Sequence, residues 1–303
     1  IVPINNSTER LAINQLGFMP EGIAFDSASG RLFFGSMRTG EVLVARPDNL
    51  WSRFADLGEY GPYSAIGMTV DEERGILWVI GTWFFQGEAF DPEDPHPPGL
   101  FGFDLETGAI RHSFIAAEGT EGFNDVAVAP DGSIYVSGVQ LHRLDSLDGE
   151  LKPFITEPAA FGSNGLTVSP DGSTLFIASY PVGVGAIDIA TGRLEYLDAP
   201  PERPLYGIDG LYWHDGALLG IQNGIQPWRL LRANLGDDGR SVADVDVLEF
   251  ANEALTPTTG AIDGSQLHYI GQGPTPEIRP TQFPEPLGPF LGRTVIMTIE
   301  LEP

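Results

Sequence analysis

The stretch Gly122-Phe-Asn-Asp-Val-Ala-Val-Ala-Pro-Asp-Gly132 returns 40 residues later as Gly162-Ser-Asn-Gly-Leu-Thr-Val-Ser-Pro-Asp-Gly172. Each copy sets a carboxamide, Asn124 or Asn164, ahead of an alternating apolar run that ends in Pro-Asp-Gly. Alternation with period two is a strand signal, and Pro-Asp-Gly is turn chemistry. Two such copies make an internal repeat, which changes how the whole chain is read.

Degraded copies extend the repeat in both directions. Glu21-Gly-Ile-Ala-Phe-Asp26 and Ile66-Gly-Met-Thr-Val-Asp71 precede it; Asp209-Gly-Leu-Tyr-Trp-His-Asp-Gly216 and Thr258-Thr-Gly-Ala-Ile-Asp-Gly264 follow it. The leading positions are Glu21, Ile66, Asn124, Asn164, Asp209 and Thr258, with gaps of 45, 58, 40, 45 and 49 residues. A period of about 40–50 residues with short strands and Gly-rich turns is that of a four-stranded propeller blade. In the fourth copy, strands are read at 166–169, 174–178, 185–189 and 193–197. The expected architecture is all-β: a six-bladed propeller of four-stranded antiparallel blades, one domain over residues 1–303. The sixth copy has strands near 266–270 and 293–301 and is one short, so residues near 8–16 are expected to complete it.

The innermost strand of each blade lines the central channel, and equivalent positions form a ring about the axis. Four of the six ring positions are Glu21, Asn124, Asn164 and Asp209. Oxygen donors without His or Cys suit a hard cation, Ca²⁺ above all. Asn ahead of Asp or Gly can also hold a turn, and Glu21 or Asp209 can cap one. Those local roles account for one such residue at a time; four oxygen donors at one structural position point to a metal site.

Composition narrows the rest. The 303 residues carry 42 acids against 16 bases, a net charge of −26, which argues against nucleic acid or anionic membrane as partner. Lys152 is the sole lysine, and such an acidic, lysine-poor surface suits a salty or extracellular setting. With no cysteine there is no disulfide, thiol nucleophile or thiolate metal site. No run of 18 apolar residues exists to span a membrane. The expected partner is a small-molecule substrate, and oligomeric state is left open. Nucleophile-elbow, phosphate-loop and His-Glu-x-x-His motifs are missing. The five histidines are scattered and read as structural, with His96 retained for its place in a long insertion.

That insertion, residues 83–99, falls between the second and third strands of blade two. In a four-stranded meander this connection lies on the face where the inner strand starts, beside the ring. Its aromatics, Trp83, Phe84 and Phe85, are candidate pocket walls together with Phe161, Tyr206, Asn223 and Trp228. A second long insertion, 272–289, belongs to the same face.

Pro20-Glu21-Gly22, Asn124-Asp125, Ser163-Asn164-Gly165-Leu166 with Ser169-Pro-Asp-Gly172, and Asp209-Gly210-Leu211 give the chain a resemblance to a known family. It resembles the senescence marker protein, gluconolactonase and luciferin-regenerating enzyme family from about residue 17 to 300. Paraoxonases, diisopropyl fluorophosphatase and strictosidine synthase belong to the wider group. The resemblance implies Ca²⁺, with Zn²⁺ or Mn²⁺ accepted by some members, held by Glu21, Asn124, Asn164 and Asp209. It also implies Asp209 as a candidate base. Three positions depart from the relatives. Gly122 stands where sugar lactonases place a substrate-gripping arginine, and Ile66 and Thr258 stand where other relatives have histidine. A lactone or ester more apolar than a sugar lactone is therefore expected. Its hydrolysis would use Asp209, or second Glu21, to accept the proton of the attacking water. The alternatives are a non-hydrolytic enzyme, as strictosidine synthase is, or a binding propeller with a structural Ca²⁺ ion.

Overall fold

Residues that alternate along a strand alternate between two hydrophobic seams. In β7 (Ile76–Thr82), Leu77 and Val79 pack toward blade one, while Ile76, Trp78 and Ile80 pack toward blade three. A strand in the middle of a blade is covered on both faces, which is why its sequence, Ile-Leu-Trp-Val-Ile, is apolar throughout rather than alternating. The computed structural model describes residues 2–15, 17–85, 87–155, 162–251, 256–272 and 293–301.

Blade one is β2 (Pro20–Asp26), β3 (Arg31–Ser36), β4 (Glu41–Ala45) and β5 (Trp51–Asp56). Blade two is β6 (Ser64–Asp71), β7, β8 (Gly99–Asp104) and β9 (Ile110–Ile115). Blade three is β10 (Phe123–Val128), β11 (Ile134–Gly138), β12 (Leu141–Leu144) and β13 (Lys152–Ile155). Blade four is β14 (Ser163–Val168), β15 (Thr174–Ser179), β16 (Gly183–Asp188) and β17 (Leu194–Tyr196). Blade five is β18 (Ile208–His214), β19 (Ala217–Gln222), β20 (Arg229–Leu235) and β21 (Val242–Phe250). The sixth sheet runs β22 (Gly260–Asp263), β23 (Gln266–Gln272), β24 (Thr294–Glu300) and then β1 (Thr8–Ile13), so the chain's first strand is the outermost of the last blade. Every pairing is antiparallel. The molecule is a six-bladed all-β propeller.

Six apolar clusters, one at each junction between neighbouring blades, close the ring. The seam between blades six and one joins Leu11, Ile13, Ile270 and Ile296 to Phe34 and Leu43. The other junctions are built alike, such as Leu175 and Ile177 against Tyr135 and Leu141. A sheet that buries both faces against neighbours needs no staple, consistent with the lack of cysteine. The Pro-Asp-Gly turns have the geometry their residues favour. Gly132 and Gly172 take φ of +84° and +71°, and Asp131 and Asp171 accept from the backbone N–H of Ser133 and Ser173 at 2.9 and 3.0 Å.

A seam of hydrogen bonds also carries the N-terminus across to blade five. Ile4 pairs with Phe250, and the buried Glu249 carboxylate accepts from the backbone N–H of Asn6 and Ser7 and from Ser7 Oγ. Among the described residues no helix is long and apolar enough to cross a membrane.

Candidate metal centre at the hub

In five blades the inner strand carries a register irregularity at the ring position. The shifts fall between Pro20 and Gly22, Ala65 and Met68, Phe123 and Val126, Ser163 and Leu166, and Ile208 and Leu211. A bulge frees one residue from the ladder and re-aims its side chain, and here those residues include Glu21, Ile66, Asn124, Asn164 and Asp209. In blade six, β22 begins only at Gly260, just past Thr258.

The residue after the ring position is glycine in four blades, and in three of them a neighbouring inner strand touches it. A Cβ on Gly22 would lie 2.0 Å from the Ile66 carbonyl oxygen, one on Gly67 2.3 Å from that of Asn124, and one on Gly165 2.6 Å from that of Asp209. Hydrogen bonds complete the circle. Ser137 Oγ donates to the Asn164 carbonyl, Asn223 Nδ2 donates to Asp209 Oδ2 and to the Pro257 carbonyl, and Thr259 Oγ1 donates to the Glu21 carbonyl. Below the ring, an axial cavity of about 250 Å³ is lined by inner-strand residues of all six blades, among them Gly22, Gly67, Asp125, Leu166, Tyr212 and Gly260.

The side chains form an oxygen-rich, charge-frustrated cluster. Asn164 Nδ2 donates to Asp209 Oδ1 at 3.1 Å, and Asn223 Nδ2 to Asp209 Oδ2 at 2.6 Å. With its nitrogen so engaged, the Asn164 amide has its oxygen left to offer. Glu21 Oε2 is buried with no hydrogen-bond partner among the described residues. Burial, and then the charges of Asp209 and Asp125, push the Glu21 carboxyl well above the usual carboxylate range. Burial raises Asp209 to about 6 against the lowering effect of the Asn223 amide. Burial raises Asp125 to about 7, opposed by the Val126 N–H and reinforced by Asp209. Three acids that resist ionising together, one with a stranded oxygen, fit a hard divalent cation, whose charge would reverse each shift. Among the described residues no three carboxylate or imidazole groups are packed closely enough to enclose an ion by themselves. Carboxamide oxygens are therefore needed to complete a donor set.

Asn124 is half-buried on its bulge. Trp83 stacks on Phe90 at 4.4 Å between centroids, and its buried Nε1 has no partner among the described residues; Phe84 and Phe85 lie 4.7 Å apart, Phe85 being exposed. The insertion carrying them is tied to blade one, where Arg38 Nε donates to Glu88 Oε1 at 2.8 Å. Tyr206 is exposed. Trp228, a candidate pocket wall, packs inside a blade junction. It is buried with Leu230, Tyr269 and Val295 in the seam between blades five and six, where an indole contributes more to packing than a loop could by display. The Asn223 amide is turned to Asp209 and Pro257, not to open space. Phe161 and 273–292, most of the second insertion, lie outside the described residues. His96 approaches Asp94 of its own loop at 3.3 Å.

Asp125 and Tyr212 are the hub residues the sequence reading passed over. Asp125 occupies the slot that is glycine in four other blades, and its Oδ1 lies 2.6 Å from where a Gly67 Cβ would be. Tyr212 is the one bulky residue at a position otherwise filled by Ala24, Thr69, Ala127, Thr167 and Ala261. Its hydroxyl accepts from the Gly260 N–H, and burial beside Asp125 pushes it well above the ordinary phenol range. Both departures are visible once the six copies are aligned.

No protein-family model and no curated protein matches the sequence. Solved structures match it in fold. A gluconolactonase of Xanthomonas campestris aligns over 95% of this chain and 87% of its own at 18% identity, TM-score 0.63. Regucalcin, a calcium-binding protein of Agrobacterium tumefaciens, aligns over 99% and 94% at 15% identity, TM-score 0.64. Virginiamycin B lyase of Staphylococcus aureus aligns over 87% and 80% at 15% identity, TM-score 0.59. At these identities the likeness is one of fold: the chain is a six-bladed propeller of the shape that gluconolactonase and regucalcin share.

Proposed function

We propose that the hub holds a divalent cation, Ca²⁺ in the first place and Zn²⁺ or Mn²⁺ otherwise, on Glu21, Asn124, Asn164 and Asp209. On this reading the protein hydrolyses an apolar lactone or related ester. The observation that carries it is the pairing of Asn164 Nδ2 with Asp209 Oδ1 at 3.1 Å, beside the stranded Glu21 Oε2. Bound there, the cation would supply Lewis acidity to the carbonyl oxygen and charge balance to the oxygen that turns negative on attack.

The chain's own groups do the rest. Asp209, its plane fixed by two amides, accepts the attacking water's proton on a remaining carboxylate lone pair; Glu21 Oε2 is the second candidate. Attack at the carbonyl, rupture of the ring C–O bond and return of the proton to the departing oxygen give a hydroxy acid. Ile66 at the ring, Gly122 beside it, and Trp83, Phe84, Phe85 and Tyr206 toward the mouth offer apolar contact rather than charge, which favours a substrate with a hydrocarbon or aromatic portion. Turnover of a lactone and ester panel, run with and without chelator, tests the reading. Chelator-sensitive hydrolysis with a preference for apolar members supports it. A fall in melting temperature on chelation with no turnover of any member would assign the ion a structural role instead.

A further inference from the structure

One carboxamide ties three blades together at the mouth of the hub. Asn223 follows β19 of blade five. Its Nδ2 donates to Asp209 Oδ2 in the same blade, at 2.6 Å, and to the Pro257 carbonyl leading into blade six, at 3.0 Å. Its Oδ1 accepts from the Tyr180 hydroxyl of blade four at 2.9 Å. An amide can present either end to a neighbour. With nitrogen committed to two acceptors and oxygen to a phenol donor, this one has a single satisfied orientation.

Tyr180 is itself held in place. Its carbonyl accepts from the Gly207 N–H at 2.7 Å, and its ring lies across Gly224, where a Cβ would come within 2.8 Å of both Cζ and the hydroxyl oxygen. The same Cβ would sit 2.7 Å from Gly207 Cα. Two glycines thus form a floor on which the ring lies with its hydroxyl directed at Asn223. Tyr180 nonetheless remains 36% exposed at the rim, so most of what the contact does is directional.

We propose that Tyr180 is a positioning residue, which through Asn223 holds the Asp209 carboxylate in the orientation that receives the hub cation. The inference rests on the metal reading given above. Asp209 then has one oxygen fixed by Asn164 and the other by Asn223, with a lone pair on each left over. Without the phenol, the Asn223 amide loses the donor that distinguishes its two ends. A flipped amide would set an oxygen against Asp209 Oδ2.

The test is titration of Ca²⁺ alone into chelator-stripped full-length protein by calorimetry, paired with the melting temperature of the stripped protein. Tyr180→Phe should weaken Ca²⁺ binding by about threefold to tenfold, roughly the worth of one neutral hydrogen bond. Its stripped melting temperature should stay within about 1 °C of wild type, since the ring is kept. Asn223→Leu should weaken binding by at least about tenfold, as partners of metal ligands commonly do. The double variant should bind no more weakly than Asn223→Leu, because Tyr180 acts only through Asn223. Tyr60→Phe, on an exposed ring packed near Phe101 and Phe103, should bind as wild type does. Unchanged affinity in Tyr180→Phe, or full additivity in the double variant, would overturn this inference while leaving the metal site standing. Wild-type protein that takes up none of Ca²⁺, Zn²⁺ and Mn²⁺, each titrated alone, would overturn both. Should Asn223→Leu not fold, Tyr180→Phe decides alone.

Discussion

Asp125→Asn should stabilise the cation-free protein, and more at high pH than at low. The Asp125 carboxyl is raised to about 7 by burial and by Asp209, against about 3.9 for an unfolded aspartate. A folded-state pKa above the unfolded one means that the native state prefers the proton. Whatever stability the group lends is fully present below about pH 4 and is lost as pH rises through 7. At about 1.4 kcal/mol per unit, the ionised group costs the fold on the order of 4 kcal/mol at pH 8 and about 1.5 kcal/mol at pH 5. Asparagine keeps the acceptor for the Val126 N–H, 2.8 Å from Oδ1, and removes the charge. At about 2 °C per kcal/mol for a chain this long, melting of the chelated protein should rise by about 8 °C at pH 8 and about 3 °C at pH 5. The assay is thermal unfolding in chelator at both pH values. A variant that melts lower than wild type at pH 8, or by the same increment at both pH values, would refute the picture of a hub carboxyl held protonated chiefly by burial.

Gly22→Ala should cost at least about 3 kcal/mol in chemical denaturation, because its Cβ meets the Ile66 carbonyl at 2.0 Å and backbone cannot yield cheaply. Gly122→Ala, whose Cβ would face Thr82 Oγ1 at 3.2 Å, should stay within about 1 kcal/mol. Burial holds the His268 imidazole below its ordinary pKa. The unfolded chain therefore gains its proton first, and stability falls as pH drops below about 6.5. His268→Gln removes that term, so its stability deficit relative to wild type should shrink steadily between pH 7 and 5. Glu249→Ala strands three donors of the N-terminal segment, the Asn6 and Ser7 N–H groups and Ser7 Oγ. It should lower stability by several kcal/mol and open residues 2–7 to limited proteolysis well before the rest of the chain.

Much of this architecture could be read from residue order. The strands of blade four were expected at 166–169, 174–178, 185–189 and 193–197 and are found at Ser163–Val168, Thr174–Ser179, Gly183–Asp188 and Leu194–Tyr196. Two of the three hairpin turns, Pro170-Asp-Gly172 and Ala190-Thr-Gly192, are written in turn-forming residues, so local chemistry carries the information. The earlier start of β14 has a physical cause: its bulge lets Ser163 pair with Ser179 upstream of the irregularity, a register that alternation alone does not reveal. The ring position was legible because it repeats. Asp125 was harder to see because a carboxylate beside Asn124 reads as part of a turn. Alignment of the six copies shows it in a slot held by glycine in four other blades, and its contact with Gly67 of the preceding blade places it at the hub. The burial of Trp228 is not legible in its loop, because it depends on Tyr269 and Val295 of the neighbouring blade. Tyr180 carries no local signal at all, since its role depends on Asn223, 43 residues on.

The most direct test is Ca²⁺ calorimetry on chelator-stripped wild type beside Glu21→Gln and Asp209→Asn. The account predicts one Ca²⁺ per chain for wild type, and at least about a hundredfold loss of affinity in each variant, since each removes a charge from a hard-cation site. Wild-type binding that survives both substitutions undiminished, or no binding at all, would contradict it.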